Sequence, residues 1–240
     1  RFCDEALWLD EGRALSHGDP KRVVGAYLTK VEQGEGQLLA ETTAKAVEEA
    51  GRDGLGRQEG QEGRDGQEPQ EDPGQQERPA DPTSNMYQAV EGRWGSREVE
   101  ITDVALLDAS GQQSFVFHSG DRVSIRLKVR AAQPIDDFVF GIGLFNAEGV
   151  CCHGTNTYLE EMNPEQLAGD AEATFSIDSL DLIEGTYKLD VAVHKRDGYP
   201  YDYHRLLYTF RVKSRTHDVG IYRPRHQWSF SPHIRFTPRS

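Results

Sequence analysis

Residues 122–130 read RVSIRLKVR, and their alternation decides the fold. Val123, Ile125, Leu127 and Val129 fall on one side of an extended chain, while Arg122, Ser124, Arg126, Lys128 and Arg130 fall on the other. A period of two belongs to a strand with one face in a core and one in water. The pattern recurs on both sides. Residues 99–107 alternate upstream. Downstream, residues 138–146 place Phe138, Phe140, Ile142 and Leu144 on one face, and residues 171–177, 186–194 and 206–212 alternate likewise. Ser110-Gly111, Ser119-Gly120-Asp121, Glu148-Gly149, Glu184-Gly185 and Asp197-Gly198 mark turns between them. Short strands at this spacing predict an all-β, immunoglobulin-like antiparallel β-sandwich over residues 85–240.

Upstream of the sandwich the composition changes. Residues 51–82 are Gly, Gln, Glu, Asp, Arg or Pro at every position except Leu55 and Ala80. Such a stretch cannot bury enough apolar surface to offset its ordering entropy, so a disordered linker is expected. Residues 31–50 are rich in Ala, Glu and Lys and read as a helical stub, giving a segment 31–84 of stub plus linker. Residues 1–30 read as a short α/β fragment: two strands, a turn at Asp10-Glu11-Gly12, and a helix with Asp19 as N-cap and Pro20 at its first position.

The chain has 240 residues and a formal charge of −13. That balance argues against nucleic acid and against an anionic membrane surface as partners. No run of about 18 apolar residues exists to span a bilayer. The first residues, Arg1-Phe2-Cys3-Asp4-Glu5, lack the features of a signal peptide, so the chain reads as starting partway through a longer protein. Its 3 cysteines are Cys3, Cys151 and Cys152, which suggest a reducing compartment rather than a disulfide framework. Cys151-Cys152-His153 lacks the spacing of a metal site, and no metal is expected.

The solvent-side residues of the strands carry a second signal. In residues 138–146 they are Val139, Gly141, Gly143 and Phe145; in residues 186–194 they are Thr186, Lys188, Asp190, Ala192 and His194. Glycines in a strand interior leave the sheet surface bare. A shallow groove walled by Phe145, Asp190 and His194 fits this pattern, and so does a barrel-like bend or a close-packed second subunit. Sugar recognition needs aromatic faces for ring C–H groups and planar polar groups for hydroxyls. His153, Asn156, Thr157, His194 and Tyr201 join Phe145 and Asp190 as candidate glycan ligands. Asn156 reads equally well as a turn residue, and the Tyr199-Pro200-Tyr201 run as a hairpin tip with packed rings. Trp228 and Phe230 lie in a Pro/Arg/aromatic-rich tail that reads as interface material. No pair of carboxylates is placed for glycoside hydrolysis and no nucleophile elbow is present, so the chain is not expected to be an enzyme.

Cys3-Asp4, Ala6-Leu7-Trp8-Leu9, Asp10-Glu11-Gly12 and Gly18-Asp19-Pro20 together resemble the C-terminal end of the nucleotide-binding domain of a polysaccharide-exporter ABC transporter ATP-binding protein. Phe140-Gly141-Ile142-Gly143, Gly154-Thr155-Asn156-Thr157 and Glu184-Gly185-Thr186-Tyr187, followed by Asp190-Val191-Ala192-Val193-His194, look like the Wzt-type C-terminal domain of such proteins. The resemblance implies a domain that binds an O-antigen-like polysaccharide, a homodimer, and a membrane-spanning transporter subunit as partner. It also implies a cytoplasmic place, peripheral to the inner face of the membrane. The parent would use ATP and Mg; the phosphate-binding loop is absent from this chain, which is expected to hold no cofactor.

Overall fold

A computed structural model describes residues 3–56 and 91–236. Strands β1 (Ala6–Asp10) and β2 (Arg13–Gly18) form an antiparallel hairpin. Its two-residue turn, Glu11-Gly12, has positive φ at both positions, 47° and 76°, the geometry that tight hairpins favour. Helix α1 (Pro20–Gly56) follows. The Asp19 carboxylate accepts the N–H groups of Lys21 and Arg22 at 3.0 and 3.2 Å, so the expected N-cap is in place.

The helix runs further than its composition suggested. It crosses residue 30 without a break and takes residues 51–56 from the expected linker; the rest of that linker lies outside the described residues. Contacts with the sandwich account for the helix better than its own propensity, since Gly25, Gly34 and Gly36 each weaken it. Ala46, Val47 and Ala50 pack into the sandwich core. The Thr43 hydroxyl accepts the Thr209 N–H. Glu35 pairs with Lys213 at 3.0 Å.

The sandwich contains β3 (Gly92–Trp94), β4 (Val99–Leu107), β5 (Val116–His118), β6 (Val123–Ile135), β7 (Val139–Asn146), β8 (Cys151–Asn156), β9 (Leu167–Ile177), β10 (Gly185–His194) and β11 (Pro200–Lys213). One sheet has the order β4-β6-β9. The other has β3-β11-β10-β7-β8, with β5 parallel to the end of β11. Every expected strand is present, and the inward faces of β6 and β10 are those read from the alternation. Ile125, Leu127, Val129, Leu189, Val191 and Val193 meet Ile101, Leu106, Phe117 and Phe210 in one core. The water-facing side of β4-β6-β9 carries cross-strand charge pairs such as Arg126 with Glu172 and Arg130 with Asp170. Exposed pairs of this kind add little stability.

One end of the sandwich closes on a buried carboxylate. Asp202 is fully buried on β11. It accepts from Arg93 Nε at 3.0 Å and Nη2 at 2.6 Å, from Arg97, and from the Ile101 N–H at 2.8 Å. These bonds tie β11 to β3 and to β4 of the opposite sheet. Gly95 belongs to the same knot: a Cβ there would lie 2.3 Å from the Tyr201 carbonyl oxygen. His204, also buried, shares a 2.6 Å hydrogen bond with the Tyr208 hydroxyl through Nδ1 and turns Nε2 toward Asp202 at 3.4 Å. Burial pushes the Asp202 carboxyl up, but the close approach of His204 Nε2 and the hydrogen bonds from Arg93 outweigh it and hold the group well below its ordinary 3.8. Burial also holds His204 below its ordinary 6.5.

Both shifts have the same sign for stability. The unfolded chain binds more protons than the folded one, first at His204 as pH falls below about 6.5 and then at Asp202 below about 4. Urea unfolding is expected to show stability declining through both windows. Asp202→Asn leaves Arg97 without its carboxylate and Arg93 with only the exposed Glu100; it is expected to cost about 3–5 kcal/mol at pH 7 and to reduce the decline below about pH 4. A variant as stable as the wild type would contradict this account.

Candidate functional site

The face of the larger sheet turned away from the core is best described by its cross-strand registers. Trp94 pairs with Tyr203, Tyr203 with Ala192, Ala192 with Gly141, and Gly141 with Asn156. One row therefore crosses five strands: two aromatics, two small residues and an amide. The neighbouring row holds Gly92, Arg205, Asp190, Gly143 and Gly154. Beyond it Lys188 faces Phe145, and Phe145 faces Cys151. At the other end His194 pairs with Val139.

The rings of Trp94 and Tyr203 stack at 4.8 Å with 8° between planes. They flank a floor of Ala192 and Gly141. A Cβ on Gly141 would meet only Ala192 and Asn156 Cβ at 3.8 Å and His194 Nε2 at 3.9 Å, so these side chains ring a shallow depression. Gly143 has a different role. A Cβ there would come within 2.9 Å of the Phe145 ring, which folds over the bare backbone. The groove floor expected at both glycines is thus open at Gly141 and covered at Gly143.

Phe145 and Asp190 are corrected from open walls to buried supports. Both are under 5% exposed. The Arg205 guanidinium lies 4.7 Å above the Phe145 ring. Asp190 accepts from Arg205 Nη1 at 2.7 Å and from the Leu206 N–H, and the Tyr203 hydroxyl sits 3.5 Å away. Its acceptor capacity is taken up by protein donors. Burial pushes its carboxyl up, and the Arg205 charge opposes that. The strand bulges here: Leu206 has φ 56°, an unfavourable value for a branched side chain. The bulge turns Arg205 toward Asp190.

The remaining candidates divide. His194 and Asn156 reach the depression. His194 Nδ1 is held by the Lys195 carbonyl at 2.6 Å, which leaves Nε2 over Gly141. Asn156 Oδ1 accepts the Leu159 N–H at 2.8 Å, so its turn role is real and its NH2 group is the part left for a ligand. Thr157 sits at the end of β8, its hydroxyl accepting the Phe140 N–H. His153 points the other way: it shares the face of Leu144 and stacks on Phe175 of the opposite sheet at 6.5 Å, so it does not join the depression. Plain counting along β8 from Asn156 puts His153 on the opposite face. Tyr201 is 3% exposed, packs with the core, and donates its hydroxyl to the Asp137 carbonyl. The bulge opposite Val193 and His194 turns it in, and Tyr203 takes the outward place. Trp94, Tyr203 and Arg205 are the outer-face residues missing from the sequence candidates, and of these Tyr203 and Arg205 are buried, like Phe145 and Asp190. Trp228 and Phe230 stack on each other at 6.2 Å and remain exposed.

A second depression, about 480 Å³, lies between α1 and the β4/β11 edge. Of its polar groups, Arg93 and His204 serve Asp202 and Tyr208 bonds His204, while Thr43, Glu48, Thr102, Asp103 and Gln113 also line it. Among the described residues no cluster of three or more metal-ligating side chains occurs.

Comparison with known proteins locates this architecture. A family model described as the Wzt C-terminal domain matches residues 90–224. The O-antigen export system ATP-binding protein RfbB of Myxococcus xanthus is 26% identical over 232 residues, which are 97% of this chain and 45% of that protein. The chain therefore spans less than half the length of that relative. A crystal structure of the C-terminal domain of Wzt superposes with a TM-score of 0.54 at 20% identity, over 59% of this chain and 89% of that one. That likeness bears on the fold.

Substitution at the two glycines should separate floor from support. Gly143→Ala is expected to displace the Phe145 ring and cost about 1–3 kcal/mol by overpacking. Gly141→Ala meets only ordinary contacts and should change stability by less than about 0.5 kcal/mol. Thermal melts of the two variants check this; equal costs would contradict the assignment.

Proposed function

This chain belongs to the Wzt C-terminal domain family, and we propose that its sandwich binds an exported O-antigen-like polysaccharide and presents it to the transporter. The observation that carries the proposal is the row Trp94–Tyr203–Ala192–Gly141–Asn156 with His194 at its end. The half-buried Trp94 ring, backed by the buried Tyr203, stands beside a small-residue floor and suits the C–H face of a pyranose. The Asn156 amide and His194 Nε2 suit its hydroxyls. Nothing in the row supplies an acid and a nucleophile, so the reading is capture rather than cleavage. ATP and Mg would be handled by the nucleotide-binding part of the parent protein, to which the β1–β2 hairpin and α1 would connect. That parent would lie on the cytoplasmic side, beside a membrane-spanning subunit; among the described residues no helix is long and apolar enough to cross a membrane.

A second reading, a dimerisation or docking sandwich, is favoured by the tail. Trp228 and Phe236 are 78% and 71% exposed in a cluster with Phe230. The two roles are compatible, because the tail aromatics and the sheet face are different residues. A homodimer closed through the tail would present two such faces.

Calorimetric titration of the chain with the polysaccharide of its own cell surface tests the first reading. Saturable binding is expected. Trp94→Ala, His194→Ala and Asn156→Asp should each weaken it by about tenfold, or about 1.4 kcal/mol. Asn156→Asp is chosen because it keeps the acceptor for the Leu159 N–H and exchanges the NH2 donor for a carboxylate oxygen. Absence of binding by a folded chain would leave the docking role alone.

A further inference from the structure

The tautomer of His194 is fixed by its own hairpin. Nδ1 lies 2.6 Å from the Lys195 carbonyl oxygen. A carbonyl only accepts, so Nδ1 carries the proton. In the neutral ring Nε2 is then a bare lone pair, an acceptor with no hydrogen to give. That nitrogen stands over the Gly141 floor, 3.9 Å from where a Cβ on Gly141 would lie. It is also accessible. Among the described residues, the buried polar side-chain atoms without a hydrogen bond are Arg126 Nε, His204 Nε2, Arg205 Nε and Arg211 Nε. His194 Nε2 is bonded by no protein group and is not one of these, so solvent reaches it.

A lone pair over the floor sets the polarity of what can dock there. A sugar hydroxyl can turn its proton to Nε2. An ether, ester, carboxylate or phosphate oxygen in the same place has no proton to offer. Two acceptors would then face each other, each having given up its water. Cations of this face and its hairpin are engaged elsewhere. Lys188 pairs with Glu91, Lys195 lies over the rings of Tyr199 and Tyr201, and Arg205 is buried against Asp190.

We propose that His194 is an obligate acceptor, which makes the site select a free sugar hydroxyl over an alkylated, acylated or anionic oxygen at that position. This rests on the glycan-binding reading and names the group that the site distinguishes. The Lys195 carbonyl holds the ring in the tautomer that the selection needs.

The test is nitrogen NMR of the full chain carrying isotope-labelled histidine, at about pH 8, where free imidazole is neutral. The chain is titrated with short oligosaccharides released from its cell-surface polysaccharide and with the same fragments fully O-methylated. His194 should show the Nδ1–H tautomer before and after binding. Its Nε2 signal should move toward the protonated frequency as the native fragments bind. The methylated fragments should bind at least about tenfold more weakly. His194→Phe keeps a flat ring without the lone pair; it should weaken the native fragments about tenfold and remove the difference between the two sets. Should that variant not fold, the wild-type spectra decide alone. A proton on Nε2, binding that leaves the Nε2 signal unmoved, or a preference for free hydroxyls that survives His194→Phe would overturn the proposal and leave the glycan reading standing. Binding of neither set would overturn both.

Discussion

The buried Asp202 carboxylate is the constraint on which the rest of the sandwich depends. It gathers two arginines and a backbone N–H from β4, and so fixes the position of β11 relative to β3 and the opposite sheet. A buried charge tolerates only a well-matched set of partners, so this end of the domain has one workable arrangement. The consequence reaches through the sheet. Successive residues of a strand point to opposite faces. With Asp202 and His204 held inward, Tyr203 is held outward beside Trp94, and the following bulge turns Arg205 to Asp190. The stability of the inner network and the layout of the outer face are therefore two results of one register.

Helix α1 belongs to the same assembly. It packs on β11 and β3, places Ala50 in the core, and lines the space beside Arg93 and His204. The polar side chains beneath it are neighbours in sequence of the aromatic pair on the outer face, Arg93 next to Trp94 and His204 next to Tyr203. Helix and candidate site thus lie on opposite sides of the same two strands.

The alternation of residues 122–130 and its echoes made the sandwich legible, because a period of two reports a face directly. The Gly141 and Ala192 floor and His194 were legible for the same reason. Errors arose where the period breaks. The β11 bulge opposite Val193 and His194 sends Tyr201 to a face that simple counting does not give, and Tyr203, outward by alternation with Asp202 and His204, stands in the site instead. Burial of Phe145 and Asp190 was hidden as well, since no local pattern announces that an arginine sixty positions away will lie over a phenylalanine. Trp94 sits on a three-residue strand, too short for periodicity to register.

Hydrogen–deuterium exchange of the full chain with and without its cell-surface polysaccharide tests the central claim most directly. The account predicts added protection in β7 and β10 around Gly141 and Ala192, and at Asn156, with β4-β6-β9 unchanged. Protection confined to β4-β6-β9 or to the cleft beneath α1 would contradict it.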